Sequence, residues 1–467
     1  MKQTIEVKNQ RYRLGYHITA PAGWINDPNG FCYFKGYYHI FYQHHPYSAD
    51  WGPMHWGHAR SRDLVHWETL PIALAPDSPA DEDGCFSGSA IVKDDVLYLV
   101  YTGHHYYGDN DPDHFWQNQN LAYSTDGIHF TKYENNPIIS HAPSDNTHHF
   151  RDPKVWQKDG TYYMVLGSQN EDGLGRVITY SSQDLKTWDY LGEMTKAKSA
   201  TTEGFMWECP DFFSLRDGEE EKDVLLFSPQ GITPVGHQYL NLFQTGYFVG
   251  EYHYETNTFE HGSFHELDFG HDFYATQTAL APDGRRLVFG WMDMWESEFP
   301  EKEDGWAGAL TLPRELILCN DRLLMKPAKE LEKLRVKQLA SWRSEGQESA
   351  ILCENERQAE ILVTLGQAAD CQLTFKDSKN ATLVELRYQK EGNQLVLTRE
   401  NEDPRYAQLT GGLKEMQIFI DTSSVEIFLN QGMVVFTERF YSEDAPKVSL
   451  VLENAVALQN ETYRLKA

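Results

Sequence analysis

Five short apolar runs recur at nearly equal intervals over the first 300 residues, and this regular spacing leaves few folds open to the chain. Each run is aromatic, aliphatic or β-branched and is too short for a helix, so we interpret the runs as strands. Their first residues lie 59, 66, 62 and 63 positions apart. The runs are residues 37–42, 96–101, 162–166, 224–227 and 287–291.

Turn residues come before these runs, for example Lys35-Gly36 and Asp283-Gly284, as expected where a hairpin enters a strand. Five copies of an all-β unit without intervening amphipathic helices are typical of a ring in which four-stranded blades pack on one another. The sequence therefore predicts an all-β fold built on a five-bladed β-propeller, with long loops because the repeat exceeds that of common propellers. A β-sandwich or two separate β domains are the alternatives that the repeat leaves open.

The pattern changes after residue 314, where the apolar spacing of segment 329–336 suits a short helix. Alternating strand-like runs return from residue 349 and are separated by turns such as Asn430-Gln431-Gly432. We therefore predict a propeller domain over residues 1–325, a linker with a short helix over 326–345 and a β-sandwich over 346–467. No low-complexity segment separates the two domains, so we expect them to pack together.

The net charge of the chain indicates which classes of binding partner to expect. The 467 residues include 41 Lys and Arg against 69 Asp and Glu, which gives a formal net charge of −28. Such a charge repels nucleic-acid backbones and anionic membranes, and no basic run offsets it, so we expect neither as a partner.

The start of the chain lacks a secretory signal and no stretch has the ~20 apolar residues of a membrane span, so we expect a soluble cytoplasmic protein. The six cysteines show no C-x-x-C spacing and predict neither disulfides nor a zinc site.

A short polar signature precedes each of the five runs and would begin the innermost strand of its blade. Innermost strands line the axis of a propeller, so equivalent positions of successive blades face one another across one cavity. This geometry would bring Asp27, Asp152 and Glu208 together, whereas a lone Asp-Pro is more often only a turn. The signatures are Asn26-Asp27-Pro28-Asn29-Gly30, Phe86-Ser87-Gly88-Ser89, Arg151-Asp152-Pro153-Lys154, Glu208-Cys209-Pro210-Asp211 and Asp272-Phe273-Tyr274.

Two carboxyl groups are sufficient for glycoside hydrolysis, one attacking the anomeric carbon and the other protonating the leaving oxygen. Asp27 lies in a tight turn whose donors should keep it ionised, which suits a nucleophile. Glu208 has less polar neighbours in the sequence, which suits an acid/base. Asp152 follows Arg151, whose charge should hold it ionised to bind sugar hydroxyls and oppose developing positive charge.

Aromatic residues make up 13% of the chain and surround these signatures. Aromatic faces stack on sugar CH groups while carboxylates accept hydrogen bonds from sugar hydroxyls, so we expect a small-molecule sugar as the partner. More than half of these side chains should instead pack between blades. The residues are Trp24, Phe31, Trp51, Trp56, Phe86, Trp207, Tyr274, Trp291 and Trp295.

Four motifs, in their order and spacing, resemble those of glycoside hydrolase family 32, the invertases and β-fructofuranosidases. They are Trp24-Ile25-Asn26-Asp27-Pro28-Asn29-Gly30, Phe86-Ser87-Gly88-Ser89, Phe150-Arg151-Asp152-Pro153 and Glu208-Cys209-Pro210-Asp211. The similarity extends over nearly the whole chain. It implies a retaining enzyme in which Asp27 is the nucleophile, Glu208 the acid/base and Asp152 the transition-state stabiliser.

The same resemblance implies a fructose subsite with ten further residues. No motif matches the loops that would recognise the leaving group, so sucrose, sucrose 6-phosphate and short fructo-oligosaccharides all stay open as substrates with a terminal β-fructosyl bond. The subsite residues are Trp24, Ile25, Asn26, Gln43, Trp51, Phe86, Ser87, Arg151, Tyr274 and Trp291.

Adjacent histidine pairs do not predict a metal site, because neighbouring side chains of an extended chain point to opposite sides and no metal-binding spacing accompanies them. The pairs are His44-His45, His104-His105 and His148-His149. The acidic loop 108–113 lacks the spacing of a calcium loop and is interpreted as solvated. We expect no metal and no cofactor.

Two other functions stay open from the residues alone. One is an inverting five-bladed glycosidase that cleaves arabinan or xylan, with carboxyl groups about 6.5–9.5 Å apart. The other is a non-catalytic sugar-binding propeller. Association into a homo-oligomer also stays open.

Overall fold

The computed structural model describes residues 3–467 and consists almost wholly of β-strands. Residues 23–327 form five successive antiparallel sheets, each with one of the five predicted runs in its second strand. This confirms the predicted five-bladed propeller. The blades are β1 (Gly23–Phe34), β2 (Tyr37–His45), β3 (His55–Ser61) and β4 (Trp67–Leu74); β5 (Gly84–Lys93), β6 (Val96–Tyr106), β7 (Phe115–Ser124) and β8 (Thr131–Lys132); β9 (Asn146–Lys158), β10 (Thr161–Asn170), β11 (Gly175–Ser182) and β12 (Asp189–Lys196); β13 (Met206–Asp217), β14 (Glu220–Gln230), β15 (Gly246–His253), β16 (Thr258–His261) and the short β17 (His265–Glu266); and β18 (Tyr274–Leu280), β19 (Arg286–Trp291), β21 (Arg314–Cys319) and β22 (Arg322–Pro327).

The ring closes through a segment inserted into the last blade. Strand β20 (Trp306–Ala307) lies between β19 and β21 in the sequence, yet it pairs in parallel with β1 of the first blade. The pairs are Gly23 with Trp306 and Trp24 with Ala307. The last blade is thereby fastened to the first, as a closed propeller requires.

The innermost strand of every blade is interrupted by a β-bulge at its polar signature. Bulges re-aim side chains and bend the strand that carries them. In three of them a residue other than glycine has a positive φ: 66° at Asp152, 48° at Cys209 and 52° at Ala275. The pairing register slips between Ile25 and Pro28, Phe86 and Gly88, Arg151 and Lys154, Glu208 and Asp211, and Tyr274 and Thr276.

The C-terminal unit is a two-layered β structure, in agreement with the predicted sandwich. The two long strands β23 and β32 pair with each other, and β32 joins the layers because its first half pairs with β25 and its second half with β24. The apolar core lies between the layers. The strands are β23 (Arg335–Cys353), β24 (Ala359–Leu365), β25 (Cys371–Lys376), β26 (Thr382–Gln389), β27 (Gln394–Arg399), β28 (Arg405–Gln408), β29 (Glu415–Asp421), β30 (Ser424–Leu429), β31 (Val434–Arg439) and β32 (Lys447–Leu465).

A 3₁₀ helix, Lys329–Leu334, joins β22 to β23 at the segment where the sequence predicts a short helix. Further 3₁₀ helices in the described part of the chain are Pro300–Asp304 and Glu391–Asn393. Within residues 3–467, no helix is long and apolar enough to cross a membrane.

Buried ion pairs hold the two units together. Arg314 of β21 is fully buried and contacts both Asp268 and Glu426. His17, ahead of the first blade, bridges Glu426 and Asp421 of the second unit, at 2.8 Å and 2.7 Å. Because each buried charge has an oppositely charged partner, the interface avoids the large cost of an unpaired buried ion.

Candidate active site

A cavity of about 220 Å³ opens at the hub, where bulged innermost strands of four blades meet. Strand β1 supplies Asp27, β5 supplies Ser87, β9 supplies Asp152 and β13 supplies Glu208. The three carboxylates expected to converge therefore line one cavity. Its full lining is Asn26, Asp27, Gln43, Trp51, Met54, Phe86, Ser87, His104, Tyr106, Pro112, Phe115, Gln117, His149, Arg151, Asp152, Glu208 and Trp295.

Cys209 ties the carboxylates of Asp27 and Asp152 together. Its backbone N–H donates to Asp152 Oδ2 at 2.8 Å, and its Sγ lies 3.4 Å from Asp27 Oδ2. Cys209 occupies this position because the bulge after Glu208 holds it at positive φ. The strained backbone at Cys209 thus brings contacts to Asp27 and Asp152 directly after Glu208 in the chain.

The carboxylate of Asp27 accepts two further hydrogen bonds. Ser87 Oγ donates to Oδ2 at 2.7 Å, and Asn26 Nδ2 donates to Oδ1 at 3.0 Å. Asn29, in turn, donates to the Asp27 carbonyl and accepts from Gln43. The chain of amides fixes the orientation of Asp27 so that its carboxylate is presented to the cavity.

Glu208 accepts hydrogen bonds on both carboxylate oxygens. Arg151 donates to Oε1 through Nε at 3.0 Å and Nη2 at 2.8 Å. Gln230 Nε2 donates to Oε2 at 2.9 Å, and the Tyr274 hydroxyl also donates to Oε2. The expectation of less polar surroundings for Glu208 was wrong, because Arg151 and Tyr274 come from other blades and Gln230 from the neighbouring strand, far from Glu208 in the sequence.

The expected protonation of the aspartates also needs correction. Burial and the charge of Glu208 raise the pKa of Asp27 above its usual range, despite the hydrogen bonds from Ser87 and Asn26. Burial and the charge of Glu208 likewise raise the pKa of Asp152 to about 7, and Arg151 opposes this only in part. Neither pKa is lowered as the neighbouring donors and Arg151 predict, because three carboxyl groups share a buried site with the Arg151 guanidinium.

A second polar layer lies further along the same innermost strands. The buried Lys154 of β9 pairs with Asp211 of β13 at 3.0 Å and donates to Gln277 Oε1 and the Thr278 carbonyl of β18. Thr278 N–H donates back to Asp211 at 2.7 Å. Three blades are thereby cross-linked next to the carboxylates, which keeps the hub rigid where the chemistry requires fixed distances.

The aromatic residues divide into two groups. Trp51 is 41% exposed and meets Phe86 edge to face, and Phe86 in turn stacks on His104 with ring centroids 4.2 Å apart. These rings offer the cavity wall a surface for sugar CH groups. Trp24 and Trp291 are instead buried against each other, at 5.8 Å between ring centroids.

Most of the predicted subsite residues line the cavity, and four do not. Trp24 and Trp291 pack in a buried aromatic cluster, Ile25 is fully buried in the core of the first blade, and Tyr274 acts only through its hydroxyl on Glu208. For Trp24, Ile25 and Trp291 a role in the fructose subsite stays a prediction, because none of them is among the side chains that line the cavity. In β1 the bulge between Ile25 and Pro28 re-aims the side chains around it, so Asn26 and Asp27 line the cavity while Ile25 packs in the core.

Several lining residues are absent from the set predicted from the sequence. His104 and Tyr106 at the end of β6 and Phe115 and Gln117 at the start of β7 lie on the wall, as does His149. They belong to none of the five polar signatures, and the adjacent histidines His104-His105 were the sequence feature that marked β6. Within residues 3–467, the one group of side chains spaced to hold a metal ion does not line this cavity.

Comparison with known proteins agrees with the fold and the motifs. The chain matches the family model of the glycosyl hydrolases family 32 N-terminal domain over residues 17–327 and of the glycosyl hydrolases family 32 C-terminal domain over residues 330–464. A sucrose-6-phosphate hydrolase from Escherichia coli is 42% identical over 457 residues, which cover 95% of this chain and 92% of that protein. A raffinose invertase from Escherichia coli is also 42% identical, over 95% of this chain and 92% of that protein. A solved GH32 β-fructofuranosidase mutant from Bombyx mori, in complex with sucrose, is 39% identical and has a TM-score of 0.88, covering 98% of this chain and 95% of that chain.

Proposed function

Since the chain belongs to glycoside hydrolase family 32 and is a β-fructofuranosidase, we propose that it cleaves fructofuranosides by a retaining mechanism with Asp27 as nucleophile and Glu208 as acid/base. The observation that carries the proposal is the convergence of Asp27, Asp152 and Glu208 from three blades on one cavity. A retaining pair needs carboxyl groups about 5–5.5 Å apart. The charge of Glu208 acts on Asp27 and raises its pKa, which supports close packing of these two carboxyl groups.

In the first step, the ionised carboxylate of Asp27 attacks the anomeric carbon of the fructosyl unit. The bond from that carbon to the glycosidic oxygen breaks, and Glu208 gives its proton to the departing oxygen. A covalent fructosyl ester on Asp27 results, and the leaving sugar departs as a neutral alcohol. Ser87 and Asn26, which donate to Asp27, hold its carboxylate in line for the attack.

In the second step, Glu208 acts as a base and removes a proton from water. The resulting oxygen attacks the anomeric carbon, the ester bond to Asp27 breaks, and fructose leaves with its original β configuration. Glu208 ends the cycle protonated and Asp27 ends it ionised. The donors Arg151, Gln230 and Tyr274 around Glu208 would guide this exchange of protons.

Asp152 has a separate role in the proposal. It accepts the backbone N–H of Cys209 on Oδ2, which leaves Oδ1 for sugar hydroxyls. Full ionisation of the three carboxyl groups beside Arg151 would leave excess negative charge in a buried site, so the cluster holds a proton near neutral pH. The carboxylates that stay ionised in the cluster carry negative charge, which is well suited to stabilise the positive charge that develops on the fructosyl ring in the transition state.

For the substrate, we propose the terminal β-D-fructofuranosyl bond of sucrose and of sucrose 6-phosphate. The similar proteins are named sucrose-6-phosphate hydrolase and raffinose invertase, and the Bombyx mori enzyme holds sucrose. These similarities support a fructoside as the substrate rather than arabinan or xylan. We also propose a cytoplasmic location, where an enzyme of this kind would meet sugar phosphorylated during uptake.

The test is a comparison of kcat/KM for sucrose, sucrose 6-phosphate and a short inulin-type oligosaccharide, with NMR of the first product formed. We expect the two sucroses to be preferred and β-fructose to appear before its anomers. Initial release of α-fructose would contradict the retaining mechanism, and preference for the oligosaccharide would contradict the proposed substrate. Cell fractionation tests the location separately.

A further inference from the structure

Three side chains that commonly ligate metals meet on the second blade, on the opposite side of β6 from the cavity. Glu82 and Asp83 lie in the turn before β5, and His105 lies near the end of β6. One ligating atom of each falls within 4.8 Å of the others. Since successive side chains of a strand point to opposite faces, His104 lines the sugar cavity while His105 faces this group.

The ring of His105 is held in one orientation. It stacks on Trp116 with centroids 3.9 Å apart and planes 8° apart, and its side chain is 1% exposed. Its Nε2 lies 3.0 Å from the Ala80 carbonyl and 3.2 Å from the Asn118 amide nitrogen. A carbonyl can only accept, so a proton on Nε2 satisfies the shorter contact.

This tautomer leaves a lone pair on the other ring nitrogen. Nδ1 is buried and has no hydrogen-bond partner among the described residues, and it lies 3.6 Å from Glu82 Oε1. A buried unsatisfied nitrogen is costly and calls for an explanation. A histidine that donates one ring N–H to a backbone carbonyl and directs the other nitrogen at carboxylates has the arrangement of a metal ligand.

The two carboxylates differ in how firmly they are placed. Asp83 accepts the Tyr106 backbone N–H on Oδ2 at 2.7 Å, which fixes the side chain and leaves Oδ1 for a ligand. The Glu82 side chain is 63% exposed and can move. Bonds of about 2.0–2.2 Å from zinc to nitrogen and oxygen require donors roughly 3.4 Å apart, so a small movement of Glu82 would complete the geometry.

We propose that Glu82, Asp83 and His105 form a binding site for a divalent cation such as Zn²⁺ or Co²⁺, with water at the open positions. The mixture of one imidazole nitrogen with two carboxylate oxygens suits these ions better than Ca²⁺ or Mg²⁺, which bind oxygen. The bound ion joins the turn before β5 to the end of β6, next to His104 and Tyr106 of the cavity wall. The site is structural and does not depend on the proposed function.

The experiment uses the full chain after dialysis against a chelator. Co²⁺ is titrated while its visible absorption is followed, Zn²⁺ binding is measured by calorimetry, and Tm is recorded with and without Zn²⁺. The variants are Glu82→Gln, which changes an exposed side chain and should fold normally, and Asp83→Asn. The control is His129→Gln, because His129 is an exposed histidine paired with Asp126 on the same blade.

We expect the wild type and the control to bind one cation per chain, with an absorption band of coordinated Co²⁺ and a higher Tm in Zn²⁺. Glu82→Gln and Asp83→Asn should each weaken binding at least 10-fold and lose the rise in Tm. Equal affinity in the wild type and Glu82→Gln would overturn the proposal. So would the lack of one-to-one binding in the wild type.

Discussion

The guanidinium of Arg151 lies against Glu208, with Nη2 2.8 Å from Oε1, and does not pair with Asp152, its neighbour in the sequence. The same guanidinium reaches His149 Nδ1 through Nη1 at 2.9 Å. One cation therefore connects the β9 wall of the cavity with the proposed acid/base on β13.

Replacing Asp27 with Asn should remove the nucleophile while keeping its shape and the hydrogen bond from Ser87. We expect kcat on sucrose to fall by roughly 10⁴-fold or more, as when other covalent nucleophiles are removed. Circular dichroism and Tm should change little, since Asn can still accept from Ser87. The control is Asp95→Asn, an exposed hairpin residue with positive φ that Asn tolerates well. Retained turnover in Asp27→Asn would contradict the role of Asp27 as the nucleophile.

Replacing Arg151 should alter both the rate and its pH dependence. Arg151→Gln removes a charge that lowers the pKa of Asp152, so that pKa, already raised to about 7 by burial and Glu208, should rise further. The acid limb of kcat/KM should therefore move to higher pH, and the maximum should fall about 10²–10³-fold. Arg151→Lys should shift the limb less, because it keeps the charge but cannot make the same paired hydrogen bonds. If the acid limb of kcat/KM does not move in Arg151→Gln, the effect of Arg151 on the pKa of Asp152 is refuted. The control is Arg464→Gln, because Arg464 pairs with Glu356 at the surface.

Replacing Asp152 with Asn should stabilise the protein at alkaline pH while abolishing activity. The pKa of Asp152 is raised to about 7 in the fold, so its contribution to stability is fully present below its ordinary value near 4 and is lost as pH rises through 7. Asn is never ionised and can still accept from Cys209. We expect Tm of the variant to exceed that of the wild type by at least about 2 °C at pH 8, with little gain at pH 4. A gain independent of pH, in thermal unfolding at both values, would contradict this origin.

His17 should make the interface between the two units sensitive to alkaline pH. Burial acts to lower the pKa of His17, but its hydrogen bonds to Asp421 and Glu426 outweigh this and raise it to about 9. The stabilisation by protonated His17 is therefore complete below about 6.5 and is lost as pH rises through 9. At pH 7, His17→Gln should cost about 3–5 kcal/mol, the range for breaking a buried ion pair.

The measurement for His17 is the free energy of unfolding against pH. The difference between the wild type and His17→Gln should shrink between pH 8 and 10. A matched variant is His66→Gln, which removes an exposed histidine paired with Asp63 and should leave stability nearly unchanged. A constant difference up to pH 10 would show that His17 acts by packing and not by charge.

Local patterns were sufficient to predict the propeller. The five runs fall in the second strand of successive blades because strand propensity and turn chemistry act within a few residues. The recurrence of the signatures then placed Asp27, Asp152 and Glu208 at one hub, since a closed ring brings equivalent positions together. Neither step required knowledge of contacts between blades.

The positions of the β-bulges could not be predicted from local sequence patterns. A bulge is a mismatch between two strands, so it depends on the partner strand as well as on the signature. It decides that Ser87 and Asp27 enter the cavity whereas Ile25 and Trp24 pack behind it. Aromatic composition could predict a sugar site but could not divide lining residues from packing residues.

By itself, the sequence determined the repeat, the order of the domains and the identity of the acidic side chains, because these follow from short-range propensity and from the spacing of motifs along the chain. Only the tertiary structure decided that Arg151 serves Glu208, that Asp152 and Asp27 have raised pKa values, and that His17 and Arg314 bind the second unit. The reason is that burial and electrostatic interaction depend on distances through space, and residues more than 50 positions apart meet only when the ring has closed.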